Sequence, residues 1–245
     1  MHVLIGIDDT DNLESRGTGH RARQLGLGLA EARLATGTGI TRHQLLVDPR
    51  IPYTSHNSSA CIAVEADPER LAAIADWCRA FLLAESASGS DAGLCIAAEE
   101  SVGQAVRDFG ARAKVAVLQQ SDAIELAGAY GYVLNGLTGT GGGVIGALAA
   151  VGLRAAGDDG RFLWLPGLRE LEGVHTAATL KDLAGIAGVE TVSGDPVSGS
   201  ARVDVGGWPR PVLKGGRAVL LVEEANHVEC DWRAAPKDLV KQRSG

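Results

Sequence analysis

Leu4-Ile5-Gly6-Ile7-Asp8-Asp9-Thr10-Asp11 is a mostly apolar run that ends in three carboxylates within four positions. Residues 2–7 read as a short buried strand, and residues 8–19 as the polar loop that leaves it, broken by Gly17 and Gly19. Carboxylates this close repel one another and raise each other's pKa unless a cation sits between them. A hard cation with oxygen ligands, Mg²⁺ or Mn²⁺, is the usual resolution, and Mg²⁺ completes its shell with water and substrate phosphates. Asp8, Asp9 and Asp11 are therefore the expected metal ligands, and phosphate chemistry the expected use. The plain alternative is a solvated Asx turn in which Asp8 caps the next segment. The position favours the ligand, because the ends of strands are where open α/β folds bind theirs.

Outward from that strand, residues 20–35 read as a helix, 44–47 as a strand and 48–52 as a rigid connection through Pro49 and Pro52. Residues 60–65 read as the next strand. The helix after it has Asp67 as cap, Pro68 at the first position and an apolar face of Leu71, Ile74, Trp77, Cys78, Phe81 and Leu82. A small-residue loop, 85–91, leads to a strand at 93–97 and a helix at 100–109. The pattern then predicts a strand at 114–118, a helix from Ser121 to about Leu134, a glycine-rich loop at 135–143 and an apolar helix at 144–153. This alternation predicts an α/β to α+β fold with a mixed sheet and helices. The texture changes at Gly157-Asp158-Asp159-Gly160, which places a boundary near 158. Beyond it come a strand at 161–165, a helix at 179–187, a strand at 218–223, and a charged tail after Asp231 that reads as frayed.

The 245 residues are 45% hydrophobic but only 4% aromatic, so Ala, Gly, Leu and Val must fill the core. A net charge of −7 argues against a protein whose whole surface grips nucleic acid. It leaves room for a local basic groove from Arg16, Arg21, Arg23, Arg42 and Arg50. The four cysteines show no C-x-x-C spacing, so a zinc ribbon is not expected. No signal sequence or membrane-length apolar run is evident, and a cytoplasmic protein with reduced thiols is expected.

Two further segments invite chemistry. Asn135-Gly136-Leu137-Thr138-Gly139-Thr140-Gly141-Gly142-Gly143-Val144-Ile145-Gly146 places glycines at the start of an apolar helix. Glycines let backbone N–H groups approach an anion, and the helix dipole favours it. The loop is not a P-loop, since no Gly-Lys-Ser/Thr follows, and a tight turn with close helix packing is an equal alternative. Pro52 to Ser59 is dense in hydroxyls and amides; it is either an exposed loop feeding a strand or a nucleotide contact with His56 as donor. His20, beside Thr18, is either a helix-terminal surface residue or a phosphate contact.

Several of these pieces, taken in order, resemble one family. Ile5-Gly6-Ile7-Asp8-Asp9-Thr10-Asp11, Ile51-Pro52-Tyr53 and Gly143-Val144-Ile145-Gly146-Ala147-Leu148-Ala149-Ala150-Val151-Gly152 are similar to motifs of the archaeal agmatinylcytidine synthetases, which modify a minor isoleucine tRNA. Pro211-Val212-Leu213-Lys214-Gly215-Gly216-Arg217 is a weaker echo. The resemblance implies an ATP- and Mg²⁺-binding, kinase-like domain at 1–158, followed by a smaller ferredoxin-like α+β domain at 159–245. It implies that ATP phosphorylates a cytidine base and that an amine then displaces the phosphate. On this chain Asp8, Asp9 and Asp11 become the metal and phosphoryl-transfer residues, and Gly139, Gly141, Gly142, Gly143 and Gly146 lie on ATP. Thr18 is the nearest match to a family threonine that is phosphorylated.

The sequence departs from the family after the acidic motif, where it reads Arg16-Gly17-Thr18-Gly19-His20, and His56 stands where the family has arginine. Arg16, His20 and His56 are accordingly the expected substrate contacts, with Arg21 and Lys114 as further cations. The chain is expected to be a shortened homologue without the family's OB-fold and zinc ribbon, which turns the expected acceptor from tRNA toward a nucleotide or small molecule. Two rivals stand beside this phosphoryl-transfer enzyme. One is a phosphatase with Asp9 as nucleophile, although Leu13 stands where its motif wants a hydroxyl or valine. The other is an ATP-, metal- or RNA-binding module without turnover.

Overall fold

β1 (His2–Asp8) is the central strand of its sheet, and both neighbours run antiparallel to it. In the computed structural model, which describes residues 1–54 and 56–244, the chain divides into two compact units, Met1–Ala156 and Gly157–Gly245. The first unit adds β2 (Thr36–Gln44), β3 (Ser58–Glu65), β4 (Gly93–Ala98) and β5 (Val133–Gly136), in the spatial order β5-β4-β1-β3-β2. Every pairing among them is antiparallel, so the alternation of strands and helices builds an α+β layer rather than a parallel crossover sheet.

Successive residues of β1 point to opposite faces, and residues 3 to 7 are buried on both. On one face Leu4, with Cys61, Ala63, Cys95 and Ala97 from neighbouring strands, meets Ala147, Leu148 and Val151 of α5 (Val144–Ala156). α3 (Gln104–Arg112) and α4 (Gln120–Tyr130) complete that layer. On the other face α1 (Thr18–Glu31) packs on β2 and β3, and α2 (Leu71–Glu85) on β4. Each fully buried Leu or Ile contributes about 1.5–3 kcal/mol relative to exposure, so the two faces of β1 anchor this unit.

Gly6 sets how closely α5 can approach. A Cβ there would lie 2.0 Å from the carbonyl oxygen of Ala147, and one at Gly93 would lie 2.1 Å from that of Gly143. Only glycine at these two positions lets the start of α5 rest on the ends of β1 and β4.

Several expected elements move. Asp67 caps as predicted, its Oδ1 accepting from the Glu69 N–H at 3.1 Å, but it opens a 3-10 turn, Pro68–Arg70, that leads into α2. The strand expected at 44–47 lies earlier, as β2, because Gly37 and Gly39 flank a bulge that breaks its alternation. Residues 114–118 form turns after α3 rather than a strand, and Val115 is exposed. The helix expected to reach Leu134 stops at Tyr130, where Gly131 adopts a left-handed cap (φ 70°), and β5 follows.

The second unit holds β6 (Arg161–Trp164), β7 (Val174–Thr176), α6 (Ala177–Ala184), β8 (Gly188–Thr191), β9 (Arg202–Asp204), β10 (Val212–Lys214), β11 (Arg217–His227), β12 (Cys230–Ala234) and α7 (Lys237–Arg243). Its strands lie in the order β6-β10-β11-β12-β9-β7, and β8 pairs parallel to β11. Phe162, Leu168, Leu180, Ile186, Val203, Leu220 and Val222 form its core. The tail expected to fray instead forms β12 and α7, because Val240 buries itself in a cluster with Val212, Val219 and Leu221. Among the described residues, no helix is long and apolar enough to cross a membrane.

Candidate functional site

The register of the first sheet gathers its chemistry at one end. Asp8 stands opposite Gly93, Gly93 opposite Gly136, Ile7 opposite Ala60, and Ser58 opposite Gln44. The segments 9–18, 45–57, 90–92 and 137–143 therefore leave the sheet at the same edge. Residues from each line a cleft of about 330 Å³, within the range of small-molecule sites.

Asp8 shares a face of β1 with Leu4 and Gly6, which brings it to the first turn of α5. A Cβ on Gly146 would lie 1.8 Å from Asp8 Oδ2, so the carboxylate rests against the helix backbone. A helix N-terminus favours a negative charge there. Burial and the neighbouring Asp9 charge nonetheless push the Asp8 pKa up to about 7. Burial, then the Asp91 and Asp11 charges, push Asp9 up to about 6, partly offset by the nearby Asp91 backbone N–H. Asp9 itself sits in the left-handed region (φ 47°), which aspartate tolerates better than most residues.

The glycine-rich loop does not form an open anion cradle. It wraps the carboxylate of Asp91, which accepts from the Thr140 backbone N–H and, at 2.7 Å, from Thr140 Oγ1. Thr138 Oγ1 donates to Ser90 O (2.6 Å) and accepts from the Ala92 N–H (2.8 Å), while the Gly143 N–H donates to Asp91 O (3.0 Å). Gly139 (φ 57°) is required, since a Cβ would fall 1.7 Å from Asp91 Oδ1. Of the glycines expected on a nucleotide, Gly142, Gly143 and Gly146 line the cleft; Gly139 and Gly141 are not among its lining residues.

Asp11 is engaged by α1. Its Oδ1 accepts from the Thr18 N–H at 3.1 Å and from Thr18 Oγ1 at 2.7 Å. Gly17 at the helix cap has no side chain, so Asp11 does the capping from seven residues upstream. Thr18 is buried and lines the cleft, and its Oγ1 also accepts from the Thr10 hydroxyl at 3.2 Å. Among the described residues, no three His, Cys, Asp or Glu side chains converge as a metal cage. The three-carboxylate ligand set read from the sequence is thus not preformed. Asp8 and Asp9 remain as an adjacent pair whose mutual repulsion a cation would relieve. Two carboxylates with water and phosphate oxygens suit Mg²⁺, so the donor set fits that ion.

The expected substrate contacts separate. His56 lines the cleft, with Thr54 and Asn57 of the same loop, and Thr54 Oγ1 donates to Asp11 O at 3.3 Å. Ser55 lies outside the described residues. Arg16, His20, Arg21 and Lys114 do not line the cleft. Arg21 pairs with Glu85 at 2.6 Å, and burial together with Arg16, Arg23 and Arg21 holds the His20 pKa below its usual value. Arg50 does line the cleft, paired with Asp48 at 2.8 Å. Asp91, Thr140, Gln119 and Gln120 are lining residues that the sequence did not single out. The signal for Asp91 was its place just before a strand that pairs with β1, and that pairing is not visible in one dimension.

No protein-family profile matches the chain, and no curated protein matches it. Solved structures do. The chain is similar to apo TiaS, an agmatidine synthetase acting on an isoleucine tRNA, with 28% identity and a TM-score of 0.53 over 62% of this chain and 35% of that one. It is similar to TiaS in its complex with that tRNA and ATP, with 28% identity and a TM-score of 0.54 over 62% of this chain and 36% of that one. A tRNA fluorescent labeling enzyme gives 29% identity and a TM-score of 0.54 over the same shares. The matched part of this chain spans little more than a third of those proteins. TiaS is a synthetase of the kind whose motifs the ordered segments of this sequence resemble.

Proposed function

We propose that the Met1–Ala156 unit binds Mg·ATP in the β1 cleft and transfers a phosphoryl group from it, activating an acceptor for attack by an amine. The observation that carries this reading is the Asp8–Asp9 pair, held in a recess with both pKa values raised and, among the described residues, no ion pair to either. The likeness to TiaS, which has been solved with tRNA and ATP, supports the same nucleotide. Asp8 and Asp9 would hold Mg²⁺, which would supply positive charge against the charge that develops on the transferred phosphoryl group.

The chain's own groups do the rest. Gly142 and Gly143 line the cleft at the start of α5, whose dipole would favour a phosphate there, while Gly146 lets the Asp8 carboxylate rest on the helix. Asp91 holds the loop that carries Gly142 and Gly143. Thr18 Oγ1 already donates to Asp11, so Asp11 is placed to keep that proton if Thr18 itself receives phosphate. The loop with Thr54, His56 and Asn57 faces the acceptor, a nucleotide or small molecule, with tRNA as the acceptor the likeness supports.

One observation favours the rival of a binding module without turnover: Arg50, the arginine in the cleft, is already paired with Asp48. Incubation with γ-labelled ATP, Mg²⁺ and a panel of tRNA, nucleotides and amines including agmatine separates the two. Label transfer or acceptor-dependent ADP release is expected. Retained ATP binding without ADP release across the panel would leave the binding module.

A further inference from the structure

The Gly157–Gly245 unit carries a concentration of like charge of the opposite sign. Arg161 on β6 stands across the sheet from Val212 on β10, and Arg210 lies just before that strand. Arg169 comes from the segment after β6. Arg169 and Arg210 both lie over Trp208, which is 43% exposed. The guanidinium carbons of Arg169 and Arg210 lie 4.6 and 4.8 Å from its ring centre. An Arg210 N–H also donates to Trp208 O at 3.3 Å.

Five arginines elsewhere, Arg21, Arg50, Arg79, Arg202 and Arg233, pair with carboxylates. Among the described residues, none of Arg161, Arg169 and Arg210 does. Burial, and second to it the nearby Arg210 charge, push the Arg161 pKa below its ordinary value. Two guanidinia on one exposed indole stand out in a chain of net charge −7. Pro209 and Pro211 bracket Arg210 and fix the backbone that presents it and Trp208, which lowers the entropy lost on binding.

We propose that Trp208, Arg161, Arg169 and Arg210 form a surface that binds single-stranded RNA, with phosphates on the guanidinia and a base stacked on the Trp–Arg layer. Arg forks match phosphate oxygens, and unstacked bases lie well on indole and guanidinium planes. An acidic peptide would answer the charge but leave the aromatic layer unused, and duplex RNA would hide its bases. This surface goes beyond the ATP reading and does not depend on it.

The test is fluorescence anisotropy on the full chain with three labelled probes: a single-stranded RNA of about 12 nucleotides, its duplex, and poly-glutamate. The single strand is expected to bind tightest. Trp208→Ala is expected to weaken it by about tenfold or more, and Trp208→Phe much less, because a ring is retained. Arg169→Lys with Arg210→Lys keeps the charge and is expected to lose most of the same increment. Mg·ATP binding, measured by calorimetry on the same variants, is expected to be unchanged, which keeps this proposal separate from the cleft's. Equal binding by Trp208→Ala, equal binding of duplex or poly-glutamate, or no binding of the single strand at low salt would each overturn it.

Discussion

The carboxylates at the end of β1 and the guanidinia around Trp208 are both like-charge clusters without a counter-ion among the described residues, yet they bear the repulsion differently. The carboxylates sit in a recess, where they relieve it by taking up protons, and their pKa values rise to about 7 and about 6. Arginine cannot shed its proton at any ordinary pH. Its cluster instead keeps part of its surface in water: Trp208 and Arg169 are exposed, while Arg161 and Arg210 are half-buried. The contrast points to different ligands. An enclosed acidic pair suits a small cation carrying a polyphosphate; an open basic layer suits an extended polyanion.

The contrast can be broken first at its scaffold. Gly6→Ala would drive a methyl group to 2.0 Å from the Ala147 carbonyl and push α5 off β1. Urea titration should show a loss of about 3 kcal/mol or more. Wild-type stability in that variant would mean that the close approach of α5 does not hold Asp8.

Next in size is the titration of Asp8. Its folded pKa, about 7, lies above the ordinary value of 3.8. Between those values the folded state keeps a proton that the unfolded chain has released, so stability is greatest at low pH and falls as pH rises from about 4 to about 7. Denaturation of the ligand-free protein across that window should show a decline on the order of a few kcal/mol, flattened in Asp8→Asn. Mg²⁺ at pH 8 should restore stability to wild type only. A pH slope unchanged by the substitution would remove Asp8 from the account.

Asp91→Ala is a smaller change. It frees the Thr140 N–H and hydroxyl at a cost of about 1–2 kcal/mol. Burial raises Asp9 most, but the substitution removes one of the two charges that add to it, so an NMR titration should show the Asp9 pKa falling. No movement there would break the proposed coupling between the two residues. The smallest effect belongs to the open cluster: Arg210→Ala should lower the slope of log affinity for single-stranded RNA against log salt by about one. An unchanged slope would mean that Arg210 meets no phosphate.

What could be read from the sequence was local. β1 and its carboxylates showed because apolar residues and Asp adjoin in the chain, and the start at Asp67 showed because a cap, a proline and an apolar face follow in order. What could not be read was set by pairing. Asp91 reaches the site only through the antiparallel register of β4 with β1, and the glycine loop closes on that carboxylate rather than on open space. Residues 114–118 carry strand-like composition, but among the described residues no strand pairs with them, and they turn instead. Asp11 was expected as a third metal ligand; spacing alone does not tell that its Oδ1 also caps α1, which begins at Thr18 with no side chain at Gly17.

The central claim is that Asp8 and Asp9 hold the metal of Mg·ATP. Calorimetry of Mg·ATP binding to wild type and Asp9→Asn tests it most directly. Measurable binding by wild type and its loss in the variant is the predicted result. Equal affinity in both would contradict the claim.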